Sequence, residues 1–227
     1  MPRFSLHPLV LTVAVLCPAL AQADPYQVTI TSTVAEVANS TGIQAYMPVG
    51  SAVTMSFMVD STNFSNNPSF PTRGYVIDPT SFSLTAGTAN VQVSLASPTY
   101  FVLRNNDPRT DGFFLSSNTS FDSDFTATVP GMSQTFSLNF HQSWQEGGAG
   151  TTSTKLNSLN IADAVGSFTP AGISVYQFDL QIGGGFIATT YNPATITISA
   201  VPEPSSYALM ALGLAGVAAV ARRRRSA

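Results

Sequence analysis

Between residues 24 and 200 the side chains alternate between apolar and polar in segment after segment, and that period of two confines the region to β-structure. Tyr26, Val28 and Ile30 alternate with Gln27 and Thr29. Val53, Met55, Phe57 and Val59 alternate with Thr54, Ser56 and Met58. The pattern returns at Val91, Val93 and Leu95, at Phe136, Leu138 and Phe140, and at Ile196 and Ile198. Further strands are expected over 81–85, 100–103, 112–115, 121–129, 156–162 and 173–182. Threonine and aromatic residues fill these runs, and a pleated surface tolerates branching and bulk that a helix penalises. Turn formers separate them: 63–71, Asp78-Pro79, Ala86-Gly87, 105–112, Pro130-Gly131 and 147–150. Gly183-Gly184-Gly185 predicts a hairpin turn that needs positive φ. No window of this region holds a long apolar pattern at helical spacing. About ten to twelve short strands predict an all-β fold, a single jelly-roll-like β-sandwich.

Two apolar segments bracket this region. Met1 to Ala23 has the layout of a secretory signal peptide: Arg3, an apolar core from Leu9 to Leu20, and the small residues Ala21 and Ala23 before Asp24. Cys17, the sole cysteine, is set between Leu16 and Pro18, a poor context for lipidation. Cleavage after Ala23 leaves no thiol, so a hydrophobic core and not a disulfide has to stabilise the exported domain. The other segment is Val201 to Ala227. Val201, Pro202, Glu203 and Pro204 come first, then an uncharged run from Tyr207 to Ala221, then Arg222, Arg223, Arg224 and Arg225. An uncharged run is stable in lipid, and an arginine block stays on the cytoplasmic side. The run is short, about 22 Å as a helix against ~30 Å of hydrocarbon, and rich in Ala and Gly. That weakness suits a transient anchor better than a permanent one. The expected domains are thus 1–23, 24–200 and 201–227.

The ordered ending of Pro-Glu-Pro, apolar helix and basic cluster resembles the PEP-CTERM sorting signal of Gram-negative, often biofilm-forming bacteria. The resemblance implies recognition by an exosortase, a membrane-embedded cysteine transpeptidase. It further implies a transient stay in the inner membrane, then delivery to the cell surface or extracellular matrix. The stretch from Val49 to Asp60 with Gly74 to Leu84 is also similar to segments of PEP-CTERM ectodomains, in which an alternating strand ending in Asp precedes an aromatic-rich strand. No catalytic residues follow from that similarity.

Charge and residue types narrow the chemistry. The segment 24–201 carries eleven acids against four bases (Arg73, Arg104, Arg109 and Lys155), a net charge of about −7. Such a surface argues against nucleic acid as a partner. With one histidine and no cysteine left after signal removal, a zinc site of ordinary composition cannot be built in one chain. Calcium needs only oxygen ligands, and Asp107, Asp111, Asp122 and Asp124 are weak candidates. Arg109 interrupts the first pair, and Asn, Asp and Gly in such loops usually cap their own backbone. No cofactor is expected.

A hydrolase triad would need His141 with a serine and Asp122 or Asp179, yet no G-x-S-x-G elbow is present. A glycosidase would need paired carboxylates, and nothing singles out a pair. Trp144, with Tyr100, Tyr176 and Tyr191, could stack on a sugar ring or fill the core. The expected function is that of an exported, non-catalytic surface or matrix protein, associated with biofilm or exopolysaccharide. The alternatives are a carbohydrate-binding module and a polysaccharide hydrolase.

Overall fold

The computed structural model describes residues 24–38, 41–96, 98–107, 109–117, 125–145, 155–183, 185–202 and 213–216. Among them are twelve strands: β1 (Pro25–Val37), β2 (Ala52–Asn66), β3 (Thr72–Ala86), β4 (Ala89–Ser94), β5 (Tyr100–Arg104), β6 (Thr110–Ser116), β7 (Phe125–Thr128), β8 (Thr135–Gln145), β9 (Gly166–Phe168), β10 (Ile173–Ile182), β11 (Phe186–Tyr191) and β12 (Thr195–Ala200). The alternation read from the sequence sets which face is buried. Val28, Ile30, Val53, Met55, Phe57, Phe136, Leu138, Phe140, Ile196 and Ile198 all point into one core.

The expected sandwich is not what forms. The strands close on themselves in the antiparallel order β1–β2–β3–β5–β6–β8–β10–β11 and back to β1, an eight-stranded barrel. A sandwich and a barrel share the same alternation along each strand; what separates them is strand length and stagger. Here β2 and β3 each run 15 residues and β8 runs 11, long enough to take different neighbours at their two ends. The first half of β3 pairs with β5 and its last residues with β4. The start of β8 pairs with β7 and its end with β6. The gap from β3 to β8 is therefore bridged twice, by β5–β6 at one pole and by β4–β7 at the other.

Eight strands enclose a space that side chains can fill. Phe101 stacks on Phe113 at 5.4 Å, Phe113 meets Trp144 edge-on at 6.0 Å, and Phe178 meets Tyr191 at 4.6 Å. Gly185 takes φ +82° in the β10–β11 hairpin, the positive value expected of that turn.

Two sequence expectations change at this level. The segment 156–162 is not a strand. It is a loop with a short 3-10 turn at Ile161–Ala164, and Leu156, Ile161 and Ala164 are buried in the core. Tyr75 holds it in place, donating its hydroxyl to the Leu159 carbonyl at 2.7 Å and accepting the Ile161 N–H at 2.9 Å. Asp78-Pro79 does not end a strand either, but begins a bulge inside β3.

β1 also changes partner along its length. It pairs with β12 from Tyr26 to Thr31 and with β11 from Val34 onward. At the split, the inward-facing amide of Gln142 replaces a strand. Its Nε2 donates to the Ala194 carbonyl and its Oε1 accepts the Ala194 N–H, both at 2.7 Å.

Candidate functional site: the pole where the chain leaves the barrel

Both ends of the folded domain lie at one pole. Tyr26 pairs with Ala200 across β1 and β12, and the Val201 N–H donates to the Pro25 carbonyl at 2.9 Å. On the other side of β1, Pro25 is in register with Asp60. Pro202 follows, exposed and without an N–H to extend the ladder. The predicted cleavage point before Asp24 and the start of the sorting motif thus sit on neighbouring strands. Ala21, Ala23, Glu203, Pro204 and Arg222 to Arg225 lie outside the described residues, as does most of the Tyr207 to Ala221 run. Of that run, residues 213–216 form an exposed helical turn. Among the described residues no helix is long and apolar enough to cross a membrane.

Across β1 from the exit, β2 and β3 each carry a bulge opened by Asp-x-Thr. Asp60 Oδ1 accepts from the Thr62 N–H and hydroxyl, both at 2.7 Å. Asp78 Oδ1 accepts from the Thr80 N–H at 2.9 Å and its hydroxyl at 2.7 Å. The ladder resumes through Ser81, whose Oγ accepts the Met58 N–H at 2.8 Å. Between the bulges lies a cleft of about 400 Å³, lined among others by Pro25, Met58, Asp60, Asn63, Asp78 and Pro79. Burial first, then the neighbouring Asp24, Tyr75 and Asp163, push the Tyr26 phenol above its ordinary value.

The candidate calcium ligands are not gathered into a site. Asp111 is fully buried; its Oδ1 accepts the Asn106 N–H at 2.9 Å and its Oδ2 the Leu156 N–H at 2.8 Å. Asp107 lies 3.2 Å from Arg104 Nε. Asp122 and Asp124 lie outside the described residues. Among the described residues no group of three metal-ligating side chains occurs. The Asp111 carboxylate works as a staple between two loops, a role that its sequence neighbours do not announce.

The candidate catalytic and sugar-binding residues are dispersed. His141 is half-buried, meets Phe114 edge-on at 5.9 Å, and its Nε2 has no hydrogen-bond partner among the described residues. Asp179 is in register with Asn139, not with His141, and its oxygens take the amides of Asn139, Gln177 and Gln181 at 3.0–3.2 Å. Among the described residues no hydrogen bond joins His141 to a serine or a carboxylate. Trp144, Tyr100 and Tyr191 are buried, and only Tyr176 of that set is exposed. A stacking platform built on Trp144 is therefore not present on the surface.

Burial, then the charge of Arg104, holds the His141 pKa below its ordinary 6.5. Between that depressed value and about 6.5 the unfolded chain binds more protons than the folded one, so stability rises with pH across the window. Stability is expected to fall as pH drops below about 6.5, and His141→Gln to flatten that dependence. Thermal unfolding of both forms from pH 7.5 to 5 tests this.

The PEP-CTERM protein-sorting motif matches residues 200–225. That motif marks an exported protein, sorted to the cell envelope or surface through a C-terminal signal. The match begins on Ala200, the last residue of β12. No curated protein and no solved structure matches the chain.

Proposed function

We propose that this chain is an exported, non-catalytic barrel protein of the cell surface or extracellular matrix, associated with biofilm exopolysaccharide. Its signal peptide takes it across the inner membrane. Its tail holds it there briefly, until a membrane transpeptidase of the exosortase type processes it near Pro202-Glu203-Pro204. One observation supports the reading: the sorting motif begins on Ala200, the final residue of β12, so the motif follows the folded domain without an intervening linker. Arg222 to Arg225 keep the far end cytoplasmic, and the prolines bias the motif to extended backbone. The domain is a structural cargo whose interior is filled by its own aromatic side chains.

The test is Glu203→Ala in a host carrying the cognate enzyme, followed by fractionation and mass determination. Glu203 lies outside the hydrocarbon, so insertion is expected to be unchanged while processing stops and the variant stays at full length in the inner membrane. Release of wild type and variant with identical new ends would remove Glu203 from recognition. Intact tails on both would make the segment a plain anchor.

A further inference from the structure

We infer that the tip of the β2–β3 hairpin is a lipid-binding element: it rests in the barrel-facing interface of the membrane that the tail enters, with Phe70 as its anchor. This rests on the reading of Tyr207 to Ala221 as a membrane segment. Strand register sets the heights. Ala200, Tyr26, Val59 and Ile77 lie in one row across β12, β1, β2 and β3. Past that row, on the side where the chain leaves, β3 extends to Thr72, about 16 Å of strand. Phe70 lies two residues further, in the turn. Tyr207 is seven residues beyond Ala200, at most about 25 Å away with every peptide fully extended. Hairpin and tether are thus of matched length, and the tip reaches the level at which the apolar run begins.

The hairpin has the chemistry of an interfacial anchor. From Ser61 to Thr72 it carries no charge, although the domain as a whole is acidic. Phe64 is 41% exposed and Phe70 56%. Such rings gain by leaving water for the boundary between headgroups and acyl chains. The turn that presents Phe70 is tied down. Asn67 Oδ1 accepts the Ser69 N–H at 2.8 Å and the Phe70 N–H at 3.3 Å, and the Asn67 N–H donates to the Thr72 carbonyl at 3.1 Å. Arg73 stands at the base of the hairpin, its guanidinium 4.1 Å from the Phe64 ring centre and its Nε donating to Asn66 Oδ1 at 2.7 Å. There it meets lipid phosphate while its stem stays against the ring. Apolar contact and not net charge drives the association, so zwitterionic lipid suffices and salt has little effect.

The test uses the signal-processed chain with its tail intact, reconstituted into phosphatidylcholine vesicles. Cys17 goes with the signal peptide, so Ser69→Cys, Val49→Cys and Leu214→Cys each offer one thiol for a fluorophore. Ser69 neighbours Phe70 at the tip, Val49 is exposed at the opposite pole, and Leu214 belongs to the apolar run. Headgroup spin-labelled lipid is expected to quench the probe at 69, and acyl-chain spin-labelled lipid the probe at 214. The probe at 49 is expected to stay as bright as in plain vesicles, at low and high salt alike. Adding Phe70→Ser is expected to weaken quenching at 69. Quenching at 214 without quenching at 69 overturns the inference and leaves the tail reading standing. No quenching at 214 removes the membrane segment, and the inference with it. Equal quenching at 69 and 49, or quenching at 69 that ignores the loss of Phe70, also overturns it.

Discussion

Replacing Gln142 by leucine is expected to lower the stability of the barrel by about 3 kcal/mol, the cost of two buried backbone groups left without partners. Gln142 faces the core between Phe140 and Trp144 and is 1% exposed. Its amide supplies both a donor and an acceptor to Ala194, itself fully buried, at the point where β12 parts from β11. Leucine has a similar volume and leaves little cavity, so the loss comes from the unpaired N–H and carbonyl and not from packing. In a domain of this size that corresponds to a fall in Tm of roughly 6–12 °C. Thermal unfolding of the exported domain measures it. A change under about 2 °C would mean that the split between β11 and β12 is satisfied in some other way.

The second large effect is expected at Asp111. Alanine there removes both carboxylate oxygens from the Asn106 and Leu156 N–H groups in a fully buried setting, at a cost of about 3–5 kcal/mol. Asparagine keeps one acceptor and places an NH₂ against the other N–H, so an intermediate loss is expected. Leu156 anchors the loop that packs against the core, and hydrogen exchange should quicken across 155–165 before the barrel strands loosen. Chelator is expected to leave the wild-type Tm unchanged. A large loss on chelation would return Asp111 to the metal-ligand reading.

Much of the strand content was legible because burial follows the period of two. β1, β2, β8 and β12 sit where their alternating residues place them, and Ile196 and Ile198 face inward as read. The closure was not legible. Nothing in the local pattern of β3 says that its two halves take β5 and β4 as different neighbours, because that depends on stagger across the whole sheet. Asp78-Pro79 carries a strong turn signal, and a local turn does form there. Ser81 then restores the ladder to Met58, and the strand continues as a bulge. The 156–162 segment looked like a strand from its apolar residues. Its hydrogen bonds go instead to Tyr75 and Asp111, distant side chains that no neighbouring residue reveals. Gln142 did leave a trace: it is the one polar side chain on the inward phase of Phe136, Leu138, Phe140 and Trp144.

The exit pole divides in the same way. The tail was readable from its three parts in order, and the motif match falls on the same residues. That the tail leaves the barrel with no linker, beside Pro25 and the Asp60–Asp78 cleft, follows only from the pairing of β1 with both β12 and β2.

The most direct test of the central claim is the intact mass of the protein recovered from outside the inner membrane of its host. Export and C-terminal sorting predict a chain that starts at Asp24 and has lost Arg222 to Arg225. A surface form that keeps the arginine cluster, or protein found only in the inner membrane at full length, would contradict it.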